Sequence, residues 1–257
     1  MENQNYRDVH AELYDIFYAS KDYQSEVFFL EKCIETFLAK RCKRMLELAG
    51  GTGNHAVFLA NFIEELVVTD NSDAMLTEAR GKLIDYSNVS VCKMNMLNFL
   101  DFDFKFDVVI SLFDSIGYVQ TNDNILKVFM NVVNCLSKNG LFIFEFWNAG
   151  AFLRHFDPIR EKFFNNQKFQ IRRISETSID YVNQLGIVNY KITMENKDNG
   201  TIDSFSETQK NRFFLIKEME LLLRTSGLDP VQFYNGYQRD SQIDEDSWHT
   251  LCIARKI

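Results

Sequence analysis

Proline and glycine are scarce, with 2 Pro and 11 Gly in 257 residues. That leaves little material for a long linker, so the elements are joined by short connections. The cysteines, Cys33, Cys42, Cys92, Cys135 and Cys252, are odd in number and never in C-x-x-C spacing. Neither a disulfide framework nor a zinc site follows from them, and they read as small buried hydrophobes. His10, His55, His155 and His249 are too dispersed to form an H-x-x-x-H pair, so no metal is expected. No run approaches the ~18 apolar residues of a membrane span. The amino terminus MENQNYRDVH lacks the charged-then-apolar build of a signal peptide, and the expected location is cytoplasmic. Positive charge is also short: 28 Lys and Arg stand against 36 Asp and Glu, a net charge of -8 that argues against a broad nucleic-acid footprint.

What is present is a hydrophobic fraction of 46% with 24 Phe, enough for one large α/β domain or one with a modest insertion. Residues 7 to 40 carry apolar groups at helical spacing in two stretches, interrupted at Lys21 and Asp22, and read as two helices. From Arg44 the pattern alternates: RMLELA, ELVVTD, VSVCKM, FDVVISLF and LFIFEFW are strands, with helices after the glycines through Phe62, from Asp73 to Leu83 and from Asn122 to Leu136. Strand–helix alternation of this kind implies a parallel sheet with both faces covered. Residues 163 to 210 read as three antiparallel strands, a lid or dimerisation sheet whose exposed edge could pair two subunits. An amphipathic helix from Leu215 to Ser226, closed by Gly227, leads to a closing strand pair, PVQFYNGYQ and SWHTLCIARK. The expectation is a Rossmann-like, doubly wound α/β fold. Its sheet has seven mostly parallel strands, with the antiparallel lid inserted after the fifth. Four regions follow: a helical cap over 1–40, the core over 41–150, the lid over 151–212, and a closing helix and strands over 213–257.

Glu47, Leu48, Ala49, Gly50, Gly51, Thr52, Gly53 lie where a strand turns into a helix, and glycines there let a ligand approach the backbone. Read as G-x-G-x-x-A through Ala56, the loop suits either a dinucleotide or adenosylmethionine. Asp70, 17 residues after Gly53, ends the next strand, where a carboxylate can accept both hydroxyls of a ribose. Glu47 separates the two cofactors: near the end of the first strand it can face an ammonium, directly or through water, and would repel a pyrophosphate.

RMLELAGGTG, VVTDNSDAML, VCKMNMLNF and FDVVISLFDSIGYV resemble the successive motifs of class I S-adenosylmethionine-dependent methyltransferases across about residues 40 to 148. HAELYDIFY, the Gly-Thr-Gly-x-His run, SIGY and FEFWN, with ETQKNRFFLIKEMELLLRTSGL, resemble more narrowly the nucleotide-sugar amino N-methyltransferases. The resemblance implies S-adenosylmethionine as cofactor. Glu47, Ala49, Gly51 and Gly53 would line its methionine part, with Tyr14 closing over the carboxylate. Asp70 and Asn71 would take the ribose edge, Met75 one adenine face, and Asn95 and Met96 the adenine amino group. Phe113 would border the sulfonium. Asn95 stands where such enzymes usually present an Asp; its carbonyl oxygen still accepts a hydrogen bond.

The expected reaction is methyl transfer to N or O of a small soluble metabolite, a sugar or nucleotide-linked sugar, with much of the rate coming from positioning. Tyr118 occupies the place of a His in the related sugar N-methyltransferases and can orient an acceptor through its hydroxyl. Asp114 is the better base for a hydroxyl acceptor. Glu145 and Trp147, at the edge of the fifth strand where ligands collect, are candidate acceptor contacts. Arg160, with Arg154, His155, Arg172 and Arg173, supplies the groups a phosphorylated acceptor needs. The competing readings are a nicotinamide-dependent oxidoreductase, for which no Tyr-x-x-x-Lys pair is found, and a nucleic-acid methyltransferase or non-catalytic cofactor-binding module. Enzymes acting on base amines often carry an Asp/Asn-Pro-Pro-aromatic tetrad where this chain has Phe-Asp-Ser-Ile.

Overall fold

The computed structural model describes residues 8–257, with side chains from 11 onward except at 12. The first seven residues of the expected cap lie outside the described residues. Helices α1 (Asp8–Phe17) and α2 (Tyr23–Phe37) precede the sheet. Their break at Lys21 and Asp22 has a local cause, since the Asp22 carboxylate caps α2 by accepting the Ser25 N–H at 3.0 Å. Five parallel strands follow: β1 (Arg44–Glu47), β2 (Glu65–Asp70), β3 (Val89–Lys93), β4 (Phe106–Ser111) and β5 (Leu136–Asn148). Between them run α3 (Ala56–Leu59), α4 (Asp73–Leu83) and α5 (Asn122–Cys135), with a 3-10 turn at Ser115–Val119 after β4. The helix expected to reach Phe62 ends at Leu59, because Asn61 and Phe62 donate to carbonyls three residues back and tighten the chain into a turn.

Beyond β5 come α6 (Ala149–Arg154), then the antiparallel strands β6 (Ile159–Asn165), β7 (Phe169–Asp180), β8 (Leu185–Asn196) and β9 (Ile202–Phe214). The lid thus has four strands where three were expected. The additional strand, β6, is an edge strand with no fully buried residue, so its sequence IREKFFN shows no alternation to read. Helix α7 (Ile216–Thr225) and strands β10 (Leu228–Asn235) and β11 (His249–Lys256) complete the chain. The core order is β3-β2-β1-β4-β5, with β11 antiparallel to β5 and β10 antiparallel to β11. Those seven strands are the expected doubly wound sheet. The lid joins it because Trp147 and Asn148 at the end of β5 pair with Phe213 and Phe214 of β9, making one continuous sheet of eleven strands.

Every residue of β4 is buried, the signature of a strand covered on both faces. On one face Phe142, Phe144 and Phe146 pack with Phe129 of α5 and Met219 and Leu223 of α7. On the other Leu141, Ile143, Val108 and Ile110 meet Leu30 of α2, Leu59 of α3 and Leu83 of α4. Helix α1 leaves this core and places Leu13 and Phe17 against Ile171, Ile192 and Met194 of the lid. One wall of the space between lid and core is therefore an amino-terminal helix.

The 3-10 turn is pressed onto β9 at Gly117. A Cβ there would lie 1.7 Å from Asn211 Oδ1 and 2.8 Å from the Arg212 carbonyl, and the latter is backbone that cannot swing away. Gly117→Ala is expected to destabilise the protein by about 1 to 3 kcal/mol in urea denaturation. A midpoint unchanged from the parent would show that this contact does not constrain the fold.

Candidate functional site

The glycine loop is held from three sides. Its backbone takes left-handed conformations at Ala49, Gly51 and Gly53, with φ of 52°, 56° and 79°. Gly50 donates to the Thr69 carbonyl at 2.8 Å, and a Cβ on Gly50 would meet Val68 at 2.8 Å and the Glu47 carboxyl at 3.1 Å. Asp70 accepts the Gly51 N–H at 3.0 Å and the Ser72 N–H at 2.8 Å, so it fixes the loop while ending β2. From α1, Asp15 accepts from Thr52 and Asn54 at 2.8 and 2.9 Å and pairs with Lys82 of α4 at 2.6 Å.

Beneath this loop lies Glu47, 1% exposed, whose Oε2 has no hydrogen-bond partner. Burial, and then repulsion from Asp70, push its pKa up to about 8. A carboxyl held this way is mismatched to its surroundings until a cation arrives. An ammonium at the loop supplies the missing partner, so the residues present fit the amino-acid end of adenosylmethionine.

The centre of the site follows β4. Phe113 and Asp114 are successive non-glycine residues at φ 56° and 58°, a costly pair of conformations. Glu145 anchors them: its Oε2 accepts the Phe113 N–H at 2.5 Å and the Tyr237 hydroxyl at 2.8 Å. Burial, with repulsion from Asp114, raises the Glu145 pKa. Asp114 Oδ2 accepts the Trp147 indole N–H at 2.9 Å and lies 2.7 Å from His249 Nδ1, while its Oδ1 is buried without a partner. Burial alone would lower the His249 pKa, but the charge and hydrogen bond of Asp114 outweigh it and raise it to about 9. The Phe113 ring meets Tyr18 edge-on at 4.8 Å, with the Lys21 ammonium 4.8 Å from its centroid.

Tyr18, Phe113, Asp114, Trp147 and His249 border one cleft of about 1390 Å³ between core, α1 and lid. That is larger than the roughly 300–1,000 Å³ of a typical single-ligand pocket, so there is room for two molecules. Of the residues expected at the cofactor, Tyr14, Ala49, Gly51, Asp70, Asn71, Met75, Asn95, Met96 and Phe113 line it. Glu47 and Gly53 do not reach its surface: Glu47 supports the loop from below, and Gly53 packs against Ala79 and Leu83. Asp114, Tyr118, Trp147 and Arg160, the expected catalytic and acceptor residues, also line it.

Glu145 requires a correction. It is 2% exposed and spends its carboxylate on Phe113 and Tyr237, so it supports the cleft wall from behind and does not contact an acceptor. Sequence reasoning missed His249, Trp248, Tyr18 and Tyr190, all in the lining. His249 reaches the site through the register of β11, which sets it opposite Trp147 of β5. The period-two alternation of the last strand was a usable signal, but only with the partner strand known.

The Glu47 geometry makes a prediction about the ligand-free protein. Its folded pKa of about 8 lies above the ordinary 4.5, so the folded state holds a proton that the unfolded chain releases between those values. Stability is therefore lost as pH rises from about 4.5 to about 8. Glu47→Gln is expected to remove that loss and to be more stable than the parent by up to about 4 kcal/mol at pH 8. Parallel stability–pH curves for the two proteins would overturn this.

Residues 45–140 match the family model described as a methyltransferase domain. A Bacillus subtilis relative named "Putative methyltransferase YqeM" is 26% identical over 196 residues, 76% of this chain and 77% of its own length. The dTDP-3-amino-3,4,6-trideoxy-alpha-D-glucopyranose N,N-dimethyltransferase of Streptomyces venezuelae is 28% identical over 142 residues, 54% of this chain and 57% of that protein. A crystal structure of an S-adenosylmethionine-dependent methyltransferase from Clostridium acetobutylicum superposes with a TM-score of 0.80 at 23% identity, covering 97% of this chain and 98% of that one. Residues 45–140 thus match a methyltransferase domain, in a chain whose fold is that of the Clostridium acetobutylicum S-adenosylmethionine-dependent methyltransferase.

Proposed function

We propose that the chain methylates nitrogen or oxygen of a small soluble metabolite, a sugar or nucleotide-linked sugar, in the cytoplasm. The observation that carries the cofactor half of this reading is the partnerless Glu47 carboxyl beneath the glycine loop. When bound, the cofactor supplies the electrophilic methyl group. Ala49, Gly51 and Gly53 shape the loop around its methionine part, and Tyr14 covers the carboxylate. Asp70, with lone pairs to spare beyond its two amide partners, receives the ribose hydroxyls beside Asn71. Met75, Asn95 and Met96 hold the adenine. Phe113, its ring fixed by Tyr18, borders the reacting sulfur.

The acceptor half rests on the remaining volume of the cleft and on the similarity to a protein named for a dTDP-amino-sugar acceptor. Trp147 forms an aromatic wall, locked by its N–H on Asp114. Tyr118, whose hydroxyl donates to Gln209 of the lid at 3.2 Å, orients the acceptor from the opposite side. Asp114 Oδ1 is left to receive the acceptor's N–H or O–H, while Oδ2 is held by Trp147 and His249. Little else is required of the protein, because a lone pair fixed in line with the breaking bond supplies much of the rate.

Titration calorimetry with adenosylhomocysteine tests the cofactor half. Micromolar binding is expected for the parent, and Asp70→Ala is expected to weaken it about tenfold or more, since charged hydrogen bonds contribute about 1.5 to 3 kcal/mol. Equal affinity in the two proteins would remove Asp70 from the site.

A further inference from the structure

Three of the four histidines have described side chains, and they are held in two different ways. His55 meets Glu26 through Nε2 at 2.8 Å, and His155 meets Asp246 through the same atom at 2.5 Å. His249 is held the other way round. Its Nδ1 lies 2.7 Å from Asp114 Oδ2, and its Nε2 has no partner among the described residues. The His249 side chain is 45% exposed and lines the cleft, so the uncommitted nitrogen is open to the ligand space.

An imidazole bonded through Nδ1 to a buried carboxylate is fixed in both tautomer and direction. Nδ1 carries the shared proton, and Nε2 is left as the basic atom. Asp114 suits the orienting role, since it is 3% exposed and is itself braced by the Trp147 indole N–H at 2.9 Å. The backbone beneath the ring is set as well: β11 pairs His249 with Trp147 of β5, and the His249 carbonyl accepts the Gly236 N–H at 2.8 Å. The other polar groups nearby offer no such open base. The Tyr118 hydroxyl donates to Gln209, and Asp114 has one oxygen committed to Trp147 and His249.

We propose that His249 is the general base of the methyl transfer, taking the acceptor's proton at Nε2 while Asp114 orients the imidazole. This rests on the reading of the cleft as a methyl-acceptor site. The acceptor's lone pair forms the new bond to the methyl carbon as the carbon–sulfur bond breaks and leaves its electron pair on sulfur. The proton leaving the acceptor's N–H or O–H goes to Nε2, and water removes it from the exposed ring before the next turnover. Asp114 Oδ1 keeps its hydrogen bond to the acceptor, so the two residues hold and deprotonate the same group. Three charged groups bear on the ring. Asp114 and Glu145 favour its protonated form, whereas burial and Lys21, from the link between α1 and α2, oppose it, and the balance raises the pKa to about 9. The base works in the fraction of protein that has lost this proton, so the rate rises with pH toward about 9.

The first arm of the test needs no acceptor. The full chain is treated with methyl 4-nitrobenzenesulfonate, which alkylates uncharged imidazole, across a pH series, and peptide mass spectrometry reads methylation at each histidine. In the parent, His249 is expected to be methylated at Nε2, with a rate that reaches its plateau above about pH 9. Asp114→Asn removes the charge that raises the imidazole pKa, so the rise is expected at least about one pH unit lower. No methylation of His249 in the parent, or the same midpoint in both proteins, overturns the proposal. Tm and adenosylhomocysteine calorimetry on each variant check that fold and loop end are intact. The second arm is single-turnover methyl transfer from adenosylmethionine to a panel of free and nucleotide-linked amino sugars. With an acceptor the parent takes, the rate is expected to climb about tenfold per pH unit toward pH 9, and His249→Gln to lower it about a hundredfold or more at unchanged adenosylhomocysteine affinity. The Gln amide can still bond Asp114, so a merely structural imidazole would leave the rate near that of the parent, and equal rates overturn the assignment. A parent that takes none of the panel while binding adenosylhomocysteine removes the amino-sugar reading, and the alkylation arm then decides the role of His249 by itself.

Discussion

The hydrogen bond from the Phe113 amide to Glu145 holds the site in shape. Two consecutive residues in the left-handed region cost roughly 1 to 3 kcal/mol each. A buried carboxylate accepting the Phe113 N–H, itself fixed by the Tyr237 hydroxyl, supplies the compensation from the neighbouring strand and from the β10–β11 connection. Release that bond and the chain after β4 relaxes. Asp114 would then leave Trp147 and His249, and its carbonyl would leave the Asn211 side chain of β9, which reaches it at 3.2 Å. Core, lid and carboxyl-terminal strand meet at this turn, so one local constraint sets the position of every group proposed to touch an acceptor.

The glycine-loop end of the cleft was legible in the sequence because its signals are local. A glycine loop, a strand-terminal Asp70 and a capped helix starting at Ser72 are each written in a few adjacent residues, and parallel strand–helix alternation fixes how they line up. The acceptor end is written differently. Glu145 and Trp147 are two residues apart on β5 and share one face by alternation; what separates them is depth along the strand, since Glu145 is taken up by Phe113 and Tyr237 while Trp147, near the strand's end, reaches the cleft. Edge strand β6 lacked any buried residue to reveal it. His249 depends on a pairing between strands over a hundred residues apart in the chain. What could not be read was register, since a slip of one residue exchanges the two faces of a strand.

The substitution of Tyr118 for the histidine of the similar sugar enzymes gains a physical context from this register. An imidazole is still present in the cleft, delivered by β11 and bonded to Asp114 through Nδ1. A histidine with its pKa raised to about 9 is a cation at neutral pH and pairs with Asp114. The same pair lies over the Trp147 indole N–H, which closes the remaining side of Oδ2. Asp114 is thereby oriented with one oxygen committed to the protein and the other uncommitted, the arrangement that a hydrogen-bonded acceptor requires.

Charge is distributed along the cleft in a way that bears on the order of events. The loop end holds Glu47 and Asp70, both with pKa values raised by burial, and the lid end holds Arg160, Lys162 and Arg173. With a pKa of about 8, Glu47 keeps its proton at neutral pH while the site is empty. On the proposed reading, an ammonium arriving at the loop favours the ionised form, so cofactor binding expels the proton and its affinity rises with pH up to about 8. The loop end and the lid end of the cleft share the wall made by Phe113, Tyr18 and Arg173. Tyr18 touches the Phe113 ring on the cofactor side, and Phe17, next to it in α1, packs on the Arg173 guanidinium. One helix, α1, therefore packs against both ends of the cleft.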